Sequence, residues 1–284
     1  PEEVVKLNLL EYYDALLKSD STLAKNTKKA YRVNASFMSK YQKHIGRELQ
    51  VIDIDGNFKD AFIKYCREQG YPESTLKGQL GRLKAVCLYA EQRGEIIHNQ
   101  VKNLTKNIRV QPTLSVFLTS SEIDDIIALN IKDSALDIAR DWLVVSCYIG
   151  QRSASLFKLT KDNIHIKSNT IRLKQVKTGA NVVIPILPQV QAILDKHKGS
   201  FPPLFSTKQH HNYNRYNDLI KEVCKLAGIN ELCKGRNKNI GGRMSKVITK
   251  PKWELITSHI GRRSFATNFY GKINQQLIQS VTGH

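Results

Sequence analysis

Acid is what this chain has little of. Its 284 residues include 25 Asp and Glu against 44 Lys and Arg, a formal net charge of +19. Two stretches hold no acid at all. Residues 96–121 carry Lys102, Lys106 and Arg109, and residues 234–252 carry seven Lys or Arg. With 41% hydrophobic and 24% charged residues, the chain has the composition of folded material, so the excess charge lies on folded surface and calls for a polyanionic partner. Cysteine is equally uninformative as a scaffold. Cys66, Cys87, Cys147, Cys224 and Cys233 are odd in number, scattered and without C-x-x-C spacing, which argues against a disulfide framework or zinc site and for buried thiols in a reducing compartment. No apolar run reaches 18 residues, which excludes a membrane span of that kind. The start, Pro1-Glu2-Glu3, carries no visible leader and no Met, and the chain stops at Gly283-His284, so both ends read as trimmed.

What is present is mostly helical. Leu9, Tyr12, Tyr13 and Leu16 recur at helical spacing, and a second helix capped by Thr27 carries Tyr31, Phe37, Met38 and Tyr41. A third runs from Gly56 to Gly70, and a fourth from Pro72 to Gly94 with Leu76, Leu80, Leu83 and Cys87 on one stripe. This predicts a small helical domain over 1–100, a basic interdomain linker over 101–112 and a second domain over 113–284. The second domain opens with the capping box Thr119-x-x-Glu122, and a longer helix follows over Ser134–Tyr148, stopped by Gly150. The period then alternates. Ile164 and Ile166, Ile171 and Leu173, and Val182 to Ile186 predict three short antiparallel strands. Helices return at Pro188–Lys198, Asn212–Ala227, His259–Tyr270 and Asn274–Val281, after a basic loop over 234–252. The fold class is mainly α with a small antiparallel sheet.

Four short stretches of the second domain hold chemistry-bearing residues: Gly150-Gln151-Arg152, Lys177-Thr178-Gly179, His259-Ile260-Gly261-Arg262-Arg263-Ser264-Phe265-Ala266-Thr267, and Gly283-His284. Singly each has an ordinary explanation as a helix stop, a hairpin tip, a packed histidine or a surface cation. In this order, the chain resembles the tyrosine recombinase (phage integrase) family, most nearly the integrases of Bacteroides-type mobile elements. The resemblance spans a helical, SAM-like core-binding domain and a mixed α+β catalytic domain. It implies site-specific cleavage and rejoining of DNA through a 3′-phosphotyrosyl intermediate. Arg152 and Arg262 then match the two arginines that hold the scissile phosphate, Lys177 the hairpin lysine that protonates the leaving oxygen, and His259 and His284 the two histidines. Guanidinium pairs suit the non-bridging oxygens, and a 5′-oxygen leaves poorly without a proton donor.

Two positions depart from the family pattern. Ser155 stands where the family usually has Glu or Asp, and the nucleophilic tyrosine belongs beyond His284, Tyr270 not matching its place. The resemblance further implies double-stranded DNA as partner, a homotetramer on two DNA sites, neither metal nor nucleotide cofactor, no membrane, and a bacterial cytoplasmic, nucleoid-associated location. Lys28, Lys29 and Arg32 on the second helix, Lys77, Arg82 and Lys84 on the fourth, and Lys174 and Arg243 in the second domain are candidate phosphate contacts. Three rival readings are a non-catalytic integrase-derived DNA-binding protein, a type IB topoisomerase, and a metal-dependent nuclease or transposase. The last needs a carboxylate cluster, and Asp53, Asp55 and Gly56 lack the spacing of a calcium loop.

Overall fold

The computed structural model describes residues 7–19, 21–112, 114–238 and 245–283. The chain divides into two compact units, Pro1–Thr113 with Asn237–Lys246, and Leu114–Arg236 with Val247–His284.

Four helices build the first unit: α1 (Leu9–Ser19), α2 (Lys25–Ile45), α3 (Gly56–Glu68) and α4 (Glu73–Glu91). Helix α3 starts where the Asp55 carboxylate accepts the Phe58 N–H at 2.7 Å. Helix α2 begins one turn ahead of Thr27, with Ala24 in the capping position and no side-chain cap. Its apolar face meets α3 in an aromatic group, with Tyr41 edge-on to Phe62 at 5.1 Å and Phe58 stacked on Phe62 at 5.6 Å. One polar chain crosses this core. The Tyr13 hydroxyl donates to Asn34 Oδ1, and Asn34 Nδ2 donates to Gln79 Oε1, so a buried hydrogen-bond chain links α1, α2 and α4. The segment expected as a linker differs from that reading. Residues Asn99–Asn103 form a 3-10 turn, and Val101, Leu104 and Ile108 are buried in the first unit's core. Their apolar spacing is too sparse to stand out among the basic residues around them.

The second unit is a layer of helices around α6 (Ser134–Ile149), which is buried along almost its whole circumference from Ala139 to Ile149. Helix α5 (Ser120–Ala128) begins with the expected capping box, Thr119 and Glu122 bonding each other's backbone N–H. After α6 and the short α7 (Ser153–Leu156) come β1 (Ile164–His165), β2 (Thr170–Lys174) and β3 (Asn181–Pro185), paired antiparallel in the order β1-β2-β3. Ile171 faces Ile184 and Leu173 faces Val182, so one side of the sheet joins the core while Arg172, Lys174 and Val183 stay exposed. Strand β1 is shorter than its pattern: Ile166 enters a 3-10 turn and is exposed. Helices α8 (Pro188–Lys196) and α9 (Gln209–Leu226) follow, α9 starting nearly a turn earlier than expected.

The basic stretch 234–252 is not a loop throughout. Strands β4 (Leu232–Lys238) and β5 (Ser245–Pro251) pair in a two-stranded sheet. Its base is pinned by Lys252, a buried ammonium 2.7 Å from both oxygens of Glu122. A buried charge persists only when paired in this way. Helices α10 (Ile260–Phe269) and α11 (Gln275–Thr282) close the unit. Four of the five cysteines are buried, and burial pushes the Cys66, Cys87 and Cys147 thiols up to about 12, which leaves them inert as nucleophiles. Among the described residues, no helix is long and apolar enough to cross a membrane.

Candidate active site

The candidate site draws on three parts of the second unit: the end of α6, the start of α10 and the β2–β3 turn. The first is the end of α6. Gly150 takes a left-handed backbone, φ +64°, which L side chains rarely adopt, and a Cβ there would press on Phe265 of α10. The chain then turns into α7 with Arg152 in the capping position, its carbonyl accepting from Ser155 and Leu156 at 2.8 Å each.

The second contributor is α10, which crosses α6 at backbone distance. Gly261 permits this, because a Cβ there would overlap the Ser146 side chain. Ser264 on the same helix accepts the Leu118 N–H at 2.8 Å, and Asn268 donates to the Leu118 carbonyl at 2.9 Å. Asn217 of α9 accepts the Ser258 N–H at 2.7 Å and fixes the approach to His259. His259 and Arg262, three residues apart at the start of α10, share one side of the helix. Arg262 is buried, and its guanidinium donates to the Gly150 carbonyl at 3.3 Å.

The third contributor is the β2–β3 turn. Lys177 stands exposed at its tip. The turn is closed by Gln175 N–H to Ala180 O at 2.8 Å and Gly179 N–H to Gln175 O at 2.9 Å. Ser155 reaches it from α7: its buried hydroxyl accepts the Val176 N–H at 3.3 Å. The Ser155 hydroxyl therefore supports the base of the Lys177 turn.

Electrostatics tie these pieces together. Burial and then the charge of Arg152 lower the Arg262 guanidinium to about 10, so it stays charged at neutral pH while repelled by a second guanidinium. His259 is pushed below its ordinary value by partial desolvation and by the positive charges of Arg263, Arg262, Arg152 and Lys177. Five basic groups thus face one region with no acid among the causes of either shift. Such a concentration of like charge is unfavourable until an anion enters it, and backbone positions fixed by glycine approach and buried hydrogen bonds are what keep it together.

Arg152, Lys177, His259 and Arg262 are accordingly brought to one region. His284 lies outside the described residues, as does Arg243, although α11 delivers the chain to Gly283 beside Gln175. Tyr270 is exposed at the end of α10. Of the other candidate phosphate contacts, Lys29, Arg32, Lys77 and Lys174 are exposed and Lys28 is half-buried. Arg82 donates to Gly78 O at 3.0 Å and Lys84 to Lys102 O at 2.6 Å, so part of their hydrogen-bonding capacity serves the first unit itself. Sequence reading quotes Gln151 and Arg263 inside its motifs without giving them a role, and misses Gln175. Arg263 follows directly on a recognised arginine and could have been found by charge alone, whereas the glutamines carry no such signal.

Three comparisons bear on this arrangement. Residues 8–108 match the family described as phage integrase SAM-like domain. The tyrosine recombinase XerC of Roseiflexus sp. (strain RS-1) is 22% identical over 289 residues, covering 94% of this chain and 82% of that protein. Among solved structures, a lambda integrase dimer bound to a COC′ core site superposes with a TM-score of 0.67 at 17% identity, covering 98% of this chain and 95% of that one. The Tn1549 transposon integrase in complex with a circular intermediate DNA gives 0.71 at 16% identity, covering 98% and 92%. The chain shares the fold of both. Residues 8–108 thus match a phage integrase SAM-like domain, and the chain as a whole has the fold of these integrases.

Proposed function

We propose that this protein is a site-specific DNA recombinase that integrates or excises a mobile element through a 3′-phosphotyrosyl intermediate. The observation that carries the reading is the convergence of Arg152, Arg262, Lys177 and His259, felt as mutual repulsion at His259 and Arg262. A phosphodiester approaching its transition state gathers negative charge on its non-bridging oxygens. Arg152 and Arg262 would hold those oxygens through paired, charge-assisted hydrogen bonds. The buried Arg262, anchored on the Gly150 carbonyl, supplies the fixed half of that clamp. Lys177, exposed on its turn, would donate the proton that the departing 5′-oxygen needs. His259, whose protonation is disfavoured by desolvation and then by its cationic neighbours, is suited to accept a proton at the nucleophile, and His284 would bond the phosphate. The nucleophile would be a tyrosine beyond His284. The bond energy of the cut strand is conserved in the phosphotyrosyl link, so the proposed chemistry calls for no nucleotide and no metal.

The lambda integrase has been solved as a tetramer bound to a Holliday junction. The same assembly, four copies on two duplexes, is proposed here, with the +19 charge as the source of affinity for DNA. A bacterial cytoplasm, where such DNA resides, is the compartment this implies.

The test is covalent trapping. The full-length protein is incubated with a nicked suicide duplex carrying its recombination site, and the adduct is resolved on a denaturing gel. A protein–DNA adduct at the 3′ phosphate, lost on mutation of the tyrosine, is the expected result. Binding without any adduct would replace the reading with that of a non-catalytic integrase-derived DNA-binding protein.

A further inference from the structure

Two glutamines are buried between the end of α6, the base of the β2–β3 turn and the end of α11, Gln151 at 1% exposure and Gln175 at 2%. Gln151 Nε2 donates to Ile149 O at 3.1 Å and to Val281 O at 2.7 Å. Gln175 Nε2 donates to Gln151 Oε1 at 3.0 Å and to Val281 O at 3.1 Å. Gln175 Oε1 in turn accepts the Thr178 hydroxyl at 2.9 Å, inside the lysine turn. Each side-chain amide therefore uses both of its N–H donors. Gly283, with a left-handed φ of +66°, lies so close to Gln175 that a Cβ would overlap its side-chain oxygen.

Burying two amides is costly unless every donor is paired, and apolar side chains of similar volume would fill the space without that cost. An apolar filling would not, however, set the distances between separate backbone segments. The glutamines bond the turn before Arg152, the end of α11 and the hydroxyl next to Lys177 in one network. The bonds from Val281 and from Gln151 reach Gln175 across 106 and 24 residues of sequence. Lys177 itself is exposed, so what locates it is the base of its turn.

We propose that Gln175, held by Gln151 and the Val281 carbonyl, is a positioning residue that sets the Lys177 turn against the arginine clamp. The proposal rests on the reading of Lys177 as the proton donor to the 5′-oxygen. Its signature is a defect confined to proton delivery. Gln175→Met preserves side-chain volume and removes the hydrogen bonds, and it should lower cleavage of an ordinary phosphodiester by on the order of 10²-fold, the scale of a catalytic group displaced by about 1 Å. On a substrate with a 5′-bridging phosphorothiolate, whose sulfur leaves without a proton, the same variant should cleave within about 3-fold of the parent, since protonation no longer contributes to the barrier. In a Lys177→Ala background Gln175→Met should add almost nothing, the non-additivity expected of residues acting through one group.

The experiment measures single-turnover cleavage of both substrates by the full-length protein and these variants, with duplex affinity and melting temperature recorded alongside. Thr178→Val supplies a second variant at an exposed position that leaves the core intact. It should lose about 2- to 10-fold on the ordinary substrate only, the worth of one neutral hydrogen bond. Equal losses on both substrates, additive loss in the Lys177→Ala background, or no effect of either substitution would overturn the proposal. Absence of any adduct with the parent protein on either substrate overturns the recombinase reading instead, and is seen before any variant is made.

Discussion

The two halves of the site are built in opposite ways. On the α10 side, Arg262 is buried, bonded to the Gly150 carbonyl, and carried by a helix pressed against α6 at backbone distance. On the sheet side, Lys177 projects from an exposed turn and depends on contacts at that turn's base, from Ser155 to Val176 and from Gln175 to Thr178. The difference fits the tasks proposed for them. Groups that stabilise charge on a phosphate must be in place before the charge develops, because reorganisation at that moment raises the barrier. A proton donor must meet one oxygen of a bound strand, and an exposed lysine on a short turn has the reach. Rigidity is therefore spent on the clamp, and the acid is located from below.

The largest effects separate these halves. Lys177→Ala should lower cleavage of an ordinary phosphodiester by about 10²- to 10⁴-fold, the usual contribution of a general acid, and a 5′-bridging phosphorothiolate should restore most of it. Arg262→Lys should cost about 10²- to 10³-fold, because an ammonium cannot reproduce the paired contacts, and the sulfur leaving group should not restore it. Single-turnover rates on the two substrates decide the matter. Rescue of both variants, or of neither, would erase the proposed division of labour.

A smaller effect tests the rigid half alone. Gly261→Ala forces a Cβ into Ser146 of α6, with the Ser146 carbonyl carbon 2.7 Å away, so the side chain cannot simply rotate aside. Overpacking of this kind costs about 1–3 kcal/mol. For a unit of this size that is a fall in melting temperature of roughly 2–4 °C per kcal/mol, readable by calorimetry. An alanine variant that melts with the parent would mean that α10 does not need its close approach to α6.

How much of this could be read beforehand follows the range of each signal. Helix stops, the capping box of Thr119 and Glu122, and the alternation of Ile171 with Leu173 are local, so they stand in the sequence as they stand in the fold. Arg152, Lys177, His259 and Arg262 stand out only through the order of their four short motifs, which resembles the integrase pattern; singly none of them does. Gln175 gave no such sign. It is neutral, and its reason for being there is a carbonyl 106 residues away. Gly261 looked like any helical glycine, since its requirement is the position of Ser146 on another helix. Residues 101–108 and 234–252 misled for one reason: their lysines and arginines dominate the composition and hide sparse apolar positions or strand pairing beneath them.

The smallest predicted effect concerns His259, where clamp and turn meet. Partial desolvation and four cationic neighbours hold its imidazole below the ordinary value of 6.5. A histidine whose folded value is depressed gives its full contribution to stability above the unfolded value near 6.5, and loses it as pH falls through the folded value. His259 is exposed, so that loss should be slight. The sharper consequence is for DNA. A phosphate seated between Arg152, Arg262 and Lys177 offsets the charges that oppose protonation, so binding must raise the imidazole's value. By linkage, binding then takes up a proton, and affinity rises as pH is lowered through the region of 6.5 at fixed salt. Proton NMR of the imidazole, assigned by its absence in His259→Gln, should record a value below 6.5 in the free protein and an upward move on adding duplex. A free value at or above 6.5 would mean that the four cations do not converge on His259. An unchanged value with DNA bound would mean that they converge, but that the phosphate sits elsewhere.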